Sequence, residues 1–316
     1  MNQRKTEGLP RRERRTVDGL LLLDKPVGMT SNAALQRVKR LSRARKAGHT
    51  GSLDPLADGM LPLCFGQATK VSAFLLGADK TYRVRARFGT KTDTGDADGT
   101  VVAESEVATV EREQLQQALV SLTGDIEQVP PMYSALKKDG TRLYELARQG
   151  IEVDRPARPV TIRSLEIEAF DPAEPVLRVE CSKGTYVRTF VEDLAAKLGT
   201  VGHVAALRRL EVEPFTEAQL VTMETIEAAA ETGDAAFDRL MIPVDSALVA
   251  FPAVTLNREQ SFYVRQGNPV QVARSPRVGT CRIYDDQARF VGVGEALTDG
   301  RIAPKRLFVT PNPVTG

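Results

Sequence analysis

Five side chains in this sequence could serve one piece of chemistry. Asp54 and His49 lie in RKAGHTGSLDPLADGMLPLC, residues 45–64, a stretch with three glycines and one of the chain's two histidines. Tyr82 lies in KTYRVRARFG, and Tyr186 and Arg188 lie in SKGTYVRTF. A carboxylate on a tight loop can act as a nucleophile or a general base. Glycines at 48, 51 and 59 allow tight turns and close backbone approach. Asp54 precedes Pro55, which biases it towards an extended conformation at a bend. Read alone, Asp54 is also a good turn-former. Its combination with two other segments, one carrying an aromatic and the other an aromatic and an arginine, is what marks it as a chemical candidate.

Other chemistries lack their residues. Two histidines and three cysteines, far apart, give no zinc spacing. GHTGS has no Lys-Ser/Thr pair at a phosphate-loop offset, and neither G-x-S-x-G nor G-x-G-x-x-G occurs. TDTGDADG, residues 92–99, resembles a calcium loop, but Thr94 and Ser105 stand where its first and twelfth ligands belong. It reads as an Asp/Gly-rich hairpin turn.

The elements that must hold these residues show in the hydrophobic pattern. GLLLLDKP reads as a short buried strand ending at Pro26, and Thr30-Ser31-Asn32 as the cap of a helix through AALQRVKRLSRA. In TYRVRARFG, Tyr82, Val84, Ala86 and Phe88 alternate with arginines, so the strand is half-buried. Residues 111–122 read as a helix. ARPVTIRSLEIEAF and VLRVECSKGTYVRTF read as strands, the second carrying Tyr186 and Arg188 into a helix at VEDLAAKLG. HVAALRRLEVEPF follows, and an acidic, alanine-rich helix is expected near 216–231. From about residue 251 the texture becomes short β pieces with Gly and Pro turns, AVTL, FYVRQGNPVQVA and CRIYDD among them.

Composition bounds the setting. The 316 residues suffice for two domains, and a 42% hydrophobic, 27% charged composition argues against wholesale disorder. No apolar run approaches a membrane span, and Leu20 to Leu23 is too short for a signal segment. Three scattered cysteines suggest a reduced, cytoplasmic setting. Residues 1–50 hold 13 Lys+Arg against 4 Asp+Glu, so the rest of the chain is net acidic. Such a basic end points to an anionic partner such as nucleic acid, and equally fits a solvated tail.

Several segments together carry a resemblance. LLLLDKPVGMTS, AGHTGSLDPLADGMLPLCFGQATK, KTYRVRARFGTKTDTGDADG, PPMYSALKKDGTRLYELARQGIEV and CSKGTYVRTFVEDLAAKLG occur in order between Gly19 and Phe215. They resemble the bacterial tRNA pseudouridine-55 synthases, and the C-terminal part is similar to their small RNA-binding PUA domain. The resemblance implies an α+β catalytic domain at 17–250, built on a mixed, largely antiparallel sheet with flanking helices. It implies a PUA-like β domain at 251–316; residues 1–16, polar, basic and aperiodic, lie outside the match and are expected to form a disordered tail. The implied reaction isomerises the T-loop uridine at tRNA position 55 to pseudouridine. It is redox-neutral and expected to need no cofactor and no metal. The implied partner is the tRNA T-arm, bound by a monomer, with no membrane and no protein partner.

The resemblance also implies residue roles. Asp54 is the catalytic carboxylate, with attack on C1′ and removal of the 2′ proton both open. Arg188 pairs with Asp54 and keeps it ionised. Tyr82 stacks on the uracil and takes part in its deprotonation, Tyr186 lines the pocket, and Leu207 floors it. His49 fills the space left by the flipped base. Apart from the resemblance, the basic side chains Lys25, Arg40, Arg43 and Lys46 are expected to contact phosphates. Two rival readings are an RNA-folding protein without the carboxylate chemistry, and a base-releasing enzyme with a second carboxylate. Asp58 stands nearest for that second role, although PLADG reads better as a turn.

Overall fold

The computed structural model describes residues 13–106 and 110–308. Among these residues, nine strands form the larger sheet: β1 (Gly19–Lys25), β2 (Ala47–His49), β3 (Asp58–Phe65), β4 (Lys80–Phe88), β5 (Gly124–Gln128), β6 (Arg158–Ala169), β7 (Val176–Cys181), β8 (Gly202–Val212) and β9 (Val221–Thr222). Their spatial order is β9-β1-β3-β8-β4-β7-β6-β5, with β2 added to β3. The β1–β9 and β3–β8 pairs are parallel and the others antiparallel. This is the mixed, largely antiparallel sheet expected.

Strand alternation divides the buried residues between two faces. On one face, Leu21, Leu23, Leu61 and Leu63 pack under helix α1 (Ser31–Leu41). Further along that face, Val84, Ala86, Phe88, Leu177 and Val179 pack under α2 (Arg112–Ser121) and α3 (Val187–Lys197). Between these two apolar clusters run the register partners Lys25, Gly59 and Arg209, and Tyr82, opposite Arg209, borders the second cluster. The site grows from this polar gap. On the opposite face arginines pair off, Arg83 with Glu168, Arg178 with Glu211, and Arg208 with Asp24, Asp58 and Glu217.

The C-terminal unit is a five-stranded sheet of its own: β10 (Ala253–Thr255), β11 (Val270–Gln271), β12 (Gly279–Tyr284), β13 (Phe290–Ala296) and β14 (Arg301–Leu307), in the order β10-β12-β13-β14-β11. It has its own core of Val254, Leu256, Val264, Ile283, Val291 and Ile302. It also shares a cluster with the larger unit, where Val293, Phe290 and Phe308 meet Leu20, Leu22, Met60 and Val212.

Three elements differ from the sequence reading. The strand expected to carry Tyr186 and Arg188 stops at Cys181, and Arg188 lies in the first turn of α3. The helix expected from 216 is interrupted: a capping box of Thr216 and Gln219 closes a short turn, Val221 and Thr222 pair with β1, and Thr222 then caps helix α4 (Met223–Thr232). Within FYVRQGNPVQVA, the first four residues belong to helix α5 (Arg258–Arg265), opened by a capping box of Asn257 and Gln260. Most of the tail expected to be disordered, residues 1–12, lies outside the described residues. At its inner end, Arg15 donates to the Ser42 carbonyl at 3.0 Å and to the Asp238 carboxylate at 2.7 Å.

Candidate active site

The loop between β2 and β3 carries Asp54, and its backbone is fixed from three sides. Ser31 accepts from the Leu53 amide at 2.7 Å and donates to the Leu53 carbonyl at 3.0 Å. The Gly28 amide donates to the Pro55 carbonyl at 2.8 Å. From below, Arg209 Nη2 donates to the Gly51 carbonyl at 3.0 Å. Gly51 and Gly59 both have positive φ, and a Cβ on Gly59 would collide with the Arg209 carbonyl. These glycines therefore permit the close approach of loop and strand that the site needs.

The Asp54 carboxylate meets Arg188, with Nη2 to Oδ2 at 3.1 Å. Arg188 is 8% exposed and Asp54 44% exposed, so the carboxylate opens to solvent above a buried cation. Arg188 also donates to the Thr94 carbonyl at 2.8 Å and the Tyr133 carbonyl at 2.7 Å. A second carboxylate, Asp96, stands 3.8 Å from Arg188 Nη1. Asp96 belongs to the turn read from sequence as structural only. It does shape that turn, accepting from Thr94 Oγ1 at 2.7 Å and the Asp98 amide at 3.2 Å. Its reach into the site was missed because nothing local to TDTGDADG points towards Arg188.

The expected pull of Arg188 on Asp54 is present, and burial outweighs it. Burial pushes the Asp54 carboxyl up, Arg188 pulls it down, and Asp96 pushes it up again, so its pKa lies above that of an ordinary aspartate. Arg188 limits the cost of ionising Asp54 without abolishing it.

Tyr82 is buried on β4 directly opposite Arg209 of β8, its cross-strand register partner. Burial raises the Tyr82 phenol above its usual range, and Arg209 opposes the shift. Leu207, two residues before Arg209, packs on the same cluster as Tyr82. With Val27 and Leu56 it lines a cleft of about 210 Å³ whose rim carries Arg83, Arg85 and Arg208. Tyr186 caps α3, and Gln128 holds its backbone, accepting from its amide at 3.0 Å and donating to its carbonyl at 3.4 Å. His49 is half-buried on β2, with Nδ1 buried and unpartnered. Burial and Arg209 lower its pKa, which favours the neutral ring.

The expected phosphate contacts divide. Arg40 and Lys46 are exposed. Arg43 is taken by an ion pair with Asp234. Lys25 is a correction: it is fully buried, donating to the carbonyls of Pro26 at 2.9 Å and Met29 at 2.7 Å, which ties the turn after β1. Its burial pulls its pKa down to about 8. Asp58 begins β3 instead of forming a turn, and its carboxylate is held by Arg208 at 3.2 Å. The buried Arg209 was also missed. Its signal was present in HVAALRRLEV, where an arginine falls in the core phase of a strand, two places after Leu207.

Residues 39–187 match the family model described as TruB family pseudouridylate synthase (N terminal domain). Residues 188–249 match the tRNA pseudouridylate synthase B C-terminal domain, and 252–308 match Pseudouridine synthase II TruB, C-terminal. The tRNA pseudouridine synthase B of Pseudomonas paraeruginosa (strain DSM 24068 / PA7) is 55% identical over 299 residues, covering 94% of this chain and 98% of that protein. That of Yersinia enterocolitica serotype O:8 / biotype 1B (strain NCTC 13174 / 8081) is 50% identical over 310 residues, covering 96% and 94%. The fold is shared with a chain in the crystal structure of a Cbf5-Nop10-Gar1 complex, at a TM-score of 0.72 and 23% identity, covering 92% of this chain and 85% of that one. With half of its residues identical to those relatives along nearly its whole length, the chain belongs to the TruB family of pseudouridylate synthases.

Proposed function

We propose that the chain isomerises uridine to pseudouridine in tRNA, at the T-loop position 55, with Asp54 as the catalytic carboxylate. The observation that carries the reading is the Asp54–Arg188 contact of 3.1 Å on a loop fixed at Leu53, Pro55 and Gly51. The reaction breaks the N1–C1′ bond, turns the detached uracil, and joins C5 to C1′. C5 loses a proton and N1 gains one, so atoms and electrons balance with no external oxidant.

Asp54 either attacks C1′ or takes the 2′ proton. Both need an ionised carboxylate facing the sugar, and the raised pKa makes it a stronger base once ionised. Arg188 holds that carboxylate in place. Tyr82, Tyr186 and Leu207 wall the base in, and Tyr82 takes part in removing the C5 proton. The target must leave the loop stack first, at a cost of roughly a few kcal/mol. A neutral His49 fills the vacated place without adding charge among the neighbouring bases. Arg40 and Lys46 contact phosphates of the T-arm, and the C-terminal unit holds the tRNA further from the site. The protein acts as a monomer, in the cytoplasm.

One product analysis tests the reading. A tRNA transcript incubated with the protein should contain pseudouridine at position 55. An abasic site would indicate base release, and unchanged uridine with tight binding would indicate an RNA-folding protein.

A further inference from the structure

We propose that Arg209 is a positioning residue of the isomerisation: it braces its cross-strand partner Tyr82 beside the Asp54 loop and supplies a positive charge that eases loss of the hydroxyl proton. The inference rests on the reading that Tyr82 takes part in base deprotonation.

Arg209 is 1% exposed. Its Nε donates to the Met60 carbonyl at 2.6 Å and its Nη2 to the Gly51 carbonyl at 3.0 Å. Among the described residues, no carboxylate lies within ion-pair distance of it. A buried guanidinium held only by neutral carbonyls is costly, because desolvation is not repaid by a counter-charge. If the role were only to tie β3 to the loop, neutral donors such as those of glutamine would serve. What the charge adds is a field at its cross-strand partner, Tyr82, with which it shares a register position. The titratable groups acting on the Tyr82 hydroxyl are Arg209 from β8, Asp54 from the loop and Cys181 from β7, whose thiol burial pushes up to about 12 and so keeps neutral. Burial raises the phenol's pKa overall, Arg209 opposes that rise, and an ionised Asp54 adds to it.

In the step served, C5 carries both its hydrogen and the new bond to C1′, and the ring holds an N1–C6 double bond. The C5–H bond breaks and its electron pair restores the C5–C6 double bond. The N1–C6 π pair returns to N1, which takes a proton from water. The C5 proton passes to the Tyr82 phenolate oxygen, whose own proton had left earlier to water.

The test uses the full-length protein and a T-arm hairpin tritiated at C5 of the target uridine, in single-turnover reactions across pH 6 to 9. Binding of Arg209→Met should stay within about tenfold, since phosphate contacts dominate affinity. Its tritium release at pH 7 should fall by about 10- to 100-fold, the scale of general acid–base effects. The pH–rate limb that Tyr82→Phe removes should move to higher pH in Arg209→Met. In the Tyr82→Phe background, Arg209→Met should cost far less than alone, as expected for residues acting as a unit. Arg209→Lys keeps the charge and should bring the limb back towards wild type. Should Arg209→Met not fold, Arg209→Gln reads the same limb and should displace it upward.

A folded variant whose pH profile overlays the wild type overturns the inference. So does an effect that multiplies in full with Tyr82→Phe. A Tyr82→Phe variant at the wild-type rate overturns the role of Tyr82, and this inference with it. A wild type that binds the hairpin and releases no tritium overturns the functional reading itself.

Discussion

At the scale of single residues, the centre of the site is an aspartate that resists ionisation beside an arginine that promotes it. Its folded pKa is raised, so the sign is fixed: the neutral acid is favoured by the fold, and ionising Asp54 costs stability as pH rises through its unfolded pKa. Asp54→Asn should therefore abolish pseudouridine formation without lowering the melting temperature, and should leave tRNA affinity within about tenfold. Calorimetry and binding on the same preparation check all three points. The acid limb of the pH–rate profile should lie above that of an ordinary aspartate. Arg188→Gln removes the group that pulls the pKa down, so it should shift that limb to still higher pH. A limb that stays in place would show that Arg188 serves only to hold the Thr94 and Tyr133 carbonyls.

At the scale of elements, the site is a loop laid over a row of strand positions. The row passes through Gly59, where β3 and β8 come too close for any side chain. Gly59→Ala combines a left-handed φ with a backbone collision. It should destabilise by at least about 1–3 kcal/mol and reduce turnover together with stability, read by urea melts and single-turnover rates. Much of this level was legible in the sequence. The alternation in TYRVRARFG gave β4 with its buried and arginine faces, and Thr30 caps α1 as its position suggests. Arg188 was misplaced onto a strand because TYVRTF alternates as well as β4 does, yet the chain turns at Gly184 and begins a helix. Lys25 looked like a surface cation because its burial depends on Pro26 and Met29 folding back over it, which no periodicity reports. Asp96 and Arg209 act through partners far along the chain, and such pairings are set by the sheet, not by neighbours in sequence.

At the scale of the whole molecule, among the described residues the C-terminal unit supplies none of the side chains around Asp54, yet it is not an independent appendage. Phe290, Val293 and Phe308 pack into the cluster formed by Leu20, Leu22 and Met60, and Lys70 donates to the Leu307 carbonyl at 2.7 Å. Removing residues 251–316 uncovers that cluster and should lower the melting temperature, so a truncation confounds binding with folding. Surface substitutions avoid this. Arg258, Phe262 and Tyr263 lie exposed on α5, a cation beside two rings, the combination that grips unpaired nucleotides. Changing all three to alanine should weaken binding to full-length tRNA with a shallower salt dependence, leave hairpin binding almost unchanged, and leave the saturated rate intact. Equal losses on both RNAs would place the grip of this unit on the T-arm itself.

The most direct measurement follows tritium at C5 of uridine 55 in full-length tRNA, alongside pseudouridine at that position, for the wild type and Asp54→Asn. The wild type should release one tritium for each pseudouridine formed at position 55. Asp54→Asn should bind the tRNA and do neither. Pseudouridine formed by Asp54→Asn at the wild-type rate would contradict the account, as would uracil set free from the RNA.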